Sequence, residues 1–277
     1  GIDTEADSMY HYKEKVCLLQ LTDRHRDYIV DPLAIGNIGA LSKLLADPSI
    51  QKIFHGADYD VVSLKRDFAV EVHNIFDTMV AAQLLGLPRV GLADLCAGLF
   101  NAKMDKKYQR HNWAARPLEP EHLDYARGDS HYLLSLRDVL LHKLKQADRL
   151  DVAEEEFKLL EARTWQPRET SPADWQRVKG SKALDVEGKR VLRSLYAYRD
   201  EQARNMDRPP YKVIPDPFLL RVAQVRPQSL DQLRSLAKRR SNMIRRHGAN
   251  LVEHVRIGLA NDAPFLDPPK KRRPGPK

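Results

Sequence analysis

The chain has 277 residues, of which 42% are hydrophobic and 30% are charged, and its formal net charge is +8. This length suits one large domain or two ordinary ones. No stretch reaches the roughly 18 consecutive apolar residues of a membrane-spanning helix, so a transmembrane protein is excluded and no membrane partner is expected. The chain shows no secretory signal, and its two cysteines, Cys17 and Cys96, lie too far apart in sequence for a CxxC zinc motif. We therefore expect a cytoplasmic protein.

The charge is distributed unevenly along the chain. Residues 1–165 hold 21 basic and 26 acidic side chains, whereas residues 166–277 hold 25 and 12, so the net charges are −5 and +13. The basic half is a candidate surface for a polyanion such as nucleic acid; the alternative is an ordinary solvated surface. Because the chain opens at Gly1 inside an element and without methionine, we expect it to be a truncated part of a longer protein.

The predicted elements of the first half alternate between strands and helices. Hydrophobic spacing and turn residues predict a first strand around Asp3, a hairpin, two short strands and five helices. In chain order after the first strand these are the hairpin 15–22 and 27–31, helix 38–46, strand 50–55, helix 59–68 with Asp58 as its N-cap, strand 75–77, and helices 78–86, 91–100 and 119–146. This order predicts an α/β domain with a mixed sheet over residues 1–150.

The second half shows helical patterns only. A polar, partly helical linker with several prolines is predicted for residues 151–186, and a small all-α domain for residues 187–262. A basic tail follows over residues 263–277. It is either a targeting sequence or a solvated segment, and we favour the second.

Two pairs of side chains suggest a metal site. Asp3 and Glu5 stand at positions i and i+2, which share one face of a strand, and hard carboxylate oxygens suit Mg²⁺ or Mn²⁺. Tyr125 and Asp129 stand at i and i+4, which share one face of a helix. Each pattern alone is common, and an exposed strand end or a half-buried tyrosine explains it as well.

Asp58 and Asp60 lie where a strand gives way to a helix. Capping and the helix dipole account for both without any function. The spacing does not decide which of the two would act in a site.

The order of these pieces resembles the DEDD superfamily of 3′–5′ exonucleases, in the subclass with tyrosine in its last motif, and most closely the ribonuclease D family. The matching segments are 2–5, 52–60, 76–78, 113–118 and 123–134. The sister subclass has histidine five residues before the last aspartate, where this chain has Asp124. Segments around 195–203, 213–216 and 245–248 resemble the HRDC domain, a small helical nucleic-acid-binding module that follows the exonuclease domain in this family.

The resemblance implies an RNase H-like exonuclease domain, with a mixed sheet flanked by helices, followed by an all-α HRDC domain. It implies that two divalent ions, Mg²⁺ or Mn²⁺, are held by Asp3, Glu5, Asp60 and Asp129, with Asp60 preferred to Asp58. Tyr125 would orient the attacking water rather than act as a strong base, since an unperturbed phenol has a pKa of about 10.

The expected activity is metal-dependent removal of nucleoside 5′-monophosphates from an RNA with a free 3′ end, such as a tRNA precursor, by a monomer. The candidate RNA contacts are Lys106, Lys107 and Tyr108 in a loop, and Arg239, Arg240, Arg245 and Arg246 in the basic half. Two alternatives stay open: a 3′–5′ DNA exonuclease and a nucleic-acid-binding protein without catalysis. Trp113 and His55 are expected to have structural roles.

Overall fold

The structure is a computed structural model that describes residues 1–166, 171–237 and 241–266. The chain divides into two compact units. The first comprises Gly1–Met9 and Glu14–Gln166, and the second comprises Tyr10–Lys13 with the described residues from Ser171 onward. Both predicted classes of structure are present: the first unit is α/β and the second is helical.

The first unit contains five strands in two ladders. Strands β1 (Ile2–Ala6), β2 (Val16–Thr22) and β3 (Asp27–Val30) form an antiparallel sheet in that order. Strands β4 (Lys52–Phe54) and β5 (Ile75–Asp77) pair in parallel. The mixed strand directions predicted from the sequence are therefore present, with the antiparallel and parallel ladders in separate sheets.

Eight helices complete this unit. They are α1 (Pro32–Ile35), α2 (Gly39–Ala46), α3 (Asp58–Phe68), α4 (Thr78–Leu84), α5 (Leu92–Phe100), α6 (Pro120–His131), α7 (Leu133–Gln146) and α8 (Leu150–Glu161). One apolar cluster, containing Leu19, Phe54 and Val61, joins strands to α3, and another, containing Leu133 and Phe157, joins α7 and α8 to β4 and β5. Among the described residues, no helix has both the length and the apolar character that crossing a membrane requires.

The prediction of a single long helix over 119–146 is wrong, because the helix is interrupted at Tyr132. This residue ends α6 and begins α7, and its ring stacks on Phe100 at 6.0 Å between ring centroids. The two halves have different partners: α6 covers β2 and β3, whereas α7 packs on α4 and β4. One straight helix does not follow both surfaces, and apolar spacing along the chain does not report such a change of direction.

The prediction that Asp58 caps α3 is also wrong. The N-cap is Ala57, which offers no side-chain acceptor, and Asp58 is already the first helical residue. The exposed Asp58 carboxylate instead forms an ion pair with Arg163 at 2.6 Å. The N–H groups of Gly56 and Ala57, just before this helix, donate to the carboxylate of Asp77.

The second unit is built around one long helix. Its helices are α9 (Val186–Asn205), α10 (Pro210–Val213), α11 (Asp216–Val225), α12 (Leu230–Ser235) and α13 (Asn242–Ala260). Helix α9 packs on α13, and a Cβ at Gly258 would lie 2.6 Å from the Val191 Cα, so glycine allows the two helices to approach closely. The buried Arg199 pairs with Asp216 and donates to the carbonyl of Ile214.

Candidate active site

Strand β1 presents two carboxylates on one face of the antiparallel sheet. Asp3 lies opposite Gln20 and Glu5 lies opposite Leu18 in the β1–β2 register. The strand is paired from its first residue, because the Gly1 amino group donates to the carbonyl oxygen of Thr22 at 2.7 Å and the Thr22 N–H donates back to Gly1 at 2.9 Å. Asp3 and Glu5 are therefore held on a paired strand.

Helix α6 supplies the third carboxylate. Its buried face, with Ala126 and Ser130, packs on the sheet, and the Ser130 hydroxyl lies 2.7 Å from the hydroxyl of Thr22. Asp129 precedes Ser130 and thereby reaches the carboxylates of β1. Asp3, Glu5 and Asp129 each offer one oxygen atom, and these three atoms lie within 4.8 Å of one another.

Asp60 approaches the same carboxylates from α3 but is outside this group of three. The residue is 7% exposed, and its carboxylate accepts a hydrogen bond from the hydroxyl of Thr4, the residue between Asp3 and Glu5. The negative charge of Asp60 contributes to raising the pKa of both Asp3 and Glu5. The structure therefore brings four of the predicted acidic residues into one electrostatic neighbourhood, with three of them clustered.

Burial raises the pKa values of all four carboxyl groups, and neighbouring negative charges raise those of Asp3, Glu5 and Asp60 further. Burial is the main cause for Asp3, whose pKa lies well above its usual range. Burial and the Asp129 charge raise the pKa of Glu5 to about 9, and burial raises the pKa of Asp129 to about 7 and of Asp60 to about 6. Converging carboxylates repel one another unless a cation neutralises them.

This set of donors fits a divalent metal ion. Three carboxylate oxygens within 4.8 Å can converge on one cation, and hard oxygen ligands are those that Mg²⁺ and Mn²⁺ prefer. A cation would also remove the repulsion that raises these pKa values.

Tyr125 lies one helical turn before Asp129. Burial and then the Asp129 charge raise the pKa of its phenol far above the ordinary value, and hydrogen bonding between the two side chains favours the Asp129 carboxylate form. The ring is held by Trp113 and Tyr108, with centroids 5.9 Å away in each case. Tyr125 is therefore a fixed, protonated hydrogen-bonding group at the edge of the carboxylate cluster.

A groove of about 730 Å³ opens beside Tyr125 and Asp129. Its lining includes three cations (Lys103, Lys107, Arg127), three tyrosines (Tyr108, Tyr125, Tyr132) and five carboxylates (Asp27, Asp105, Glu121, Asp124, Asp129). Lys107 is engaged by Glu121 at 3.1 Å and lies 4.6 Å from the Tyr108 ring centroid. The predicted Lys107 and Tyr108 thus line the groove, whereas the exposed Lys106 does not.

Asp77 is a structural residue of the site that the sequence reasoning missed. Its buried carboxylate accepts from the N–H groups of Gly56 and Ala57, ahead of α3, and from Met79 and Val80 in α4. It thereby fixes the start of the helix that carries Asp60. An aspartate between a strand and an apolar helix is a common N-cap signal, but the second set of donors comes from a distant segment.

His55 and Trp113 have the structural surroundings predicted for them. His55 Nδ1 lies 2.9 Å from the Thr78 hydroxyl, which donates to the Phe54 carbonyl. Trp113 is 1% exposed and packs in the core with Leu18.

The second unit contains a basic cavity of about 290 Å³. Arg208, Lys212, Arg245 and Arg246 contribute to its lining, and no carboxylate among the described residues does so. The predicted Arg245 and Arg246 thus lie together, and Arg239 and Arg240 lie outside the described residues.

Comparison with known proteins gives this arrangement a family. Residues 1–145 match the family described as 3′-5′ exonuclease, and residues 188–255 match the HRDC domain. The chain is 33% identical over 276 residues to exosome complex exonuclease RRP6 of Saccharomyces cerevisiae. The aligned region covers 94% of this chain and 38% of that protein. The chain spans about a third of the length of the first curated relatives it matches.

Solved structures of the same family also match this chain. The catalytic core of RRP6 from Trypanosoma brucei matches with a TM-score of 0.84 and 30% identity, over 95% of this chain and 74% of that one. Escherichia coli RNase D matches with a TM-score of 0.71 and 29% identity, over 94% and 69%. The fold is therefore the RNase H-like exonuclease fold followed by an HRDC domain, and the chain belongs to the 3′-5′ exonuclease family, in the group of ribonuclease D and RRP6.

Proposed function

We propose that this protein is a metal-dependent 3′–5′ exoribonuclease that releases nucleoside 5′-monophosphates. The observation that carries the proposal is the cluster of Asp3, Glu5 and Asp129, within 4.8 Å of one another, beside a groove whose lining includes basic and aromatic side chains as well as carboxylates. Such a groove suits a single strand, whose phosphates contact cations and whose bases stack on rings.

Asp3, Glu5, Asp60 and Asp129 would hold two divalent ions, Mg²⁺ or Mn²⁺. Bound there, a pair of ions supplies an activated water and neutralises charge on the departing 3′ oxygen. Asp3, Glu5 and Asp129 would hold the ion that supplies the water, and Asp60 would contribute with Asp3 to holding the ion that neutralises the departing oxygen. The buried position of Asp60 beside Thr4 supports its choice over the exposed Asp58.

Tyr125 would orient the attacking water. Its raised pKa keeps the phenol protonated at neutral pH, so it acts through a hydrogen bond and not by removing a proton. The water loses a proton to solvent and its oxygen forms the new bond to phosphorus. The bond from phosphorus to the 3′ oxygen of the preceding nucleotide breaks, and that oxygen takes a proton from solvent and leaves as a new 3′ hydroxyl.

The substrate would be RNA with a free 3′ end, including structured RNAs such as tRNA precursors. E. coli RNase D is an exoribonuclease involved in structured RNA processing, and the yeast relative is an exosome complex exonuclease. The similarity of this chain to both supports RNA over DNA. We also propose that the protein acts as a monomer in the cytoplasm; its two cysteines are free and buried.

The basic cavity of the second unit would contact RNA phosphates. No carboxylate of the described residues lines the cavity beside its four cations, Arg208, Lys212, Arg245 and Arg246. These cations are therefore available to neutralise a polyanion. Contacts of this kind do not read sequence and weaken with salt.

The experiment is a time course on 3′-extended RNA labelled at its 5′ end, with Mn²⁺, with Mg²⁺ and with EDTA. We expect a ladder that shortens from the 3′ end only with metal and that is lost in Asp129→Ala and Asp60→Ala. Asp58→Ala is the matched control, since this exposed residue lies in the same helical turn as Asp60 and should keep activity. Binding without shortening would overturn the proposal, and equal degradation of a matched DNA would overturn its RNA preference.

A further inference from the structure

A glutamine lies directly across the sheet from the proposed metal ligand Asp3. Gly1 and Thr22 exchange both backbone hydrogen bonds, and Asp3 and Gln20 are paired two residues further along the same register. They therefore form the next hydrogen-bonded pair, in which the Cα atoms lie about 5.5 Å apart and the side chains share one face.

The same face is covered by α6. Thr22 lies two residues after Gln20, so both side chains leave the strand on one side, and the Thr22 hydroxyl reaches Ser130 at 2.7 Å. Ser130 follows Asp129 in α6. The side chain of Gln20 consequently lies on the face of the sheet that α6 covers, which is also the face of Asp3.

The amide of Gln20 is buried and unsatisfied. The residue is 0% exposed, and neither its Oε1 nor its Nε2 has a hydrogen-bond partner among the described residues. Buried amides in proteins almost always have partners, and an exception calls for an explanation such as an ion or a functional role. An apolar residue of similar volume would fill this position without leaving two polar atoms unpaired.

We propose that Gln20 is a positioning residue of the metal centre, whose amide nitrogen donates, directly or through one water, to the Asp3 carboxylate when that carboxylate binds metal. Carboxylates that ligate a metal are themselves commonly hydrogen-bonded, and such partners orient the ligand. The inference deepens the proposed function and rests on it, since it assumes that Asp3 binds a divalent ion.

The test is Mn²⁺ binding to the whole protein, measured by titration calorimetry and by the electron paramagnetic resonance signal of free Mn²⁺. Gln20→Leu removes both polar atoms at similar volume. We expect its Kd for Mn²⁺ to rise about tenfold or more, the range found when such partners are lost, while the metal-free Tm stays level or rises. The Mn²⁺ concentration for half-maximal activity should rise in parallel, with kcat at saturating Mn²⁺ changed much less.

Thr22→Val is the matched control on the same strand and face. Its hydroxyl has partners in Ser130 and Asp27, so this variant should lower the metal-free Tm and leave the Kd for Mn²⁺ unchanged. Gln20→Met, which is unbranched, gives a second reading if the leucine variant folds poorly.

The outcomes separate two failures. If the wild type binds Mn²⁺ and both Gln20→Leu and Gln20→Met bind it equally well, the role of Gln20 is overturned and the metal centre is not. A lower metal-free Tm with unchanged Mn²⁺ affinity assigns Gln20 to structure and also overturns it. Wild type that binds no Mn²⁺ overturns the proposed metal centre and this inference together.

Discussion

At the scale of single residues, the site stores unfavourable charge that a metal would relieve. Asp129 has a pKa of about 7, raised mainly by burial, against an ordinary value of about 3.9. A carboxyl group whose pKa is higher in the folded state binds more protons there than when unfolded. Its contribution to stability is therefore present below pH of about 4 and is lost as the pH rises to about 7.

This gives a prediction for the metal-free protein. Asp129→Asn cannot ionise, so in EDTA we expect its Tm to exceed that of wild type at pH 8 and to approach it at pH 4. Thermal unfolding at pH 4, 6 and 8 measures the difference, and Mn²⁺ should reverse the order by stabilising wild type only. Equal Tm values of the two proteins at pH 8 in EDTA would show that Asp129 carries no such charge penalty.

The phenol of Tyr125 allows a prediction about rate. Tyr125→Phe keeps the ring between Trp113 and Tyr108 and removes only the hydroxyl. We expect kcat to fall about a hundredfold, within the range for loss of one positioned hydrogen-bond donor, with little change in Mn²⁺ affinity. Single-turnover RNA cleavage and a Mn²⁺ titration measure the two effects, and an unchanged kcat would contradict the role given to the hydroxyl.

At the scale of elements, Asp77 joins two helix starts with one carboxylate. Asp77→Ala would leave four N–H groups near α3 and α4 without their acceptor. One lost cap costs about 0.5–2 kcal/mol, so two such losses should lower the free energy of unfolding by about 1–4 kcal/mol. Urea unfolding measures this loss, and Asp77→Asn, which keeps one acceptor oxygen, should lose less.

Most elements could be predicted from the sequence because their signals are local. The apolar run of β2 marks a buried strand, the spacing in α3 reports which face is buried, and Asp3 with Glu5 needs only a strand to share a face. The break at Tyr132 and the double role of Asp77 depend on partners far along the chain. The same limit applies to Gln20, whose burial under α6 has no sign in its own strand.

At the scale of the molecule, the site could be assembled from the sequence only through a resemblance. Asp3, Asp60 and Asp129 are separated by more than 50 residues at each step, so no local pattern brings them together. The order of the motifs indicated the family resemblance, and the resemblance, not the spacing, predicted that these three residues share one site. In the basic cavity, the density of charge along the sequence was enough to predict Arg245 and Arg246. Arg208 and Lys212 come from another segment, and only the fold brings them to the same cavity.

The basic cavity leads to a prediction about salt. Each phosphate contact to a single strand contributes a slope of about −0.7 to the logarithm of affinity against the logarithm of salt concentration. If Arg245 and Arg246 each contact one phosphate, the double variant Arg245→Ala/Arg246→Ala should lose about 1.4 from the slope measured with wild type. Fluorescence anisotropy with a labelled single-stranded RNA, over a range of NaCl concentrations, gives both slopes.

The control must remove equal charge from the same unit. Lys179→Ala/Lys182→Ala does so at two exposed residues that do not line the cavity, and its slope should stay near that of wild type. Cleavage of a dinucleotide, which has a single phosphodiester bond for the carboxylate cluster, should be the same in all three proteins. If both double variants lose slope equally, the long-range field of the basic unit attracts RNA and the cavity makes no contact of its own. If only the arginine variant loses slope while dinucleotide cleavage is unchanged, the cavity binds RNA phosphates independently of the reaction at the carboxylates.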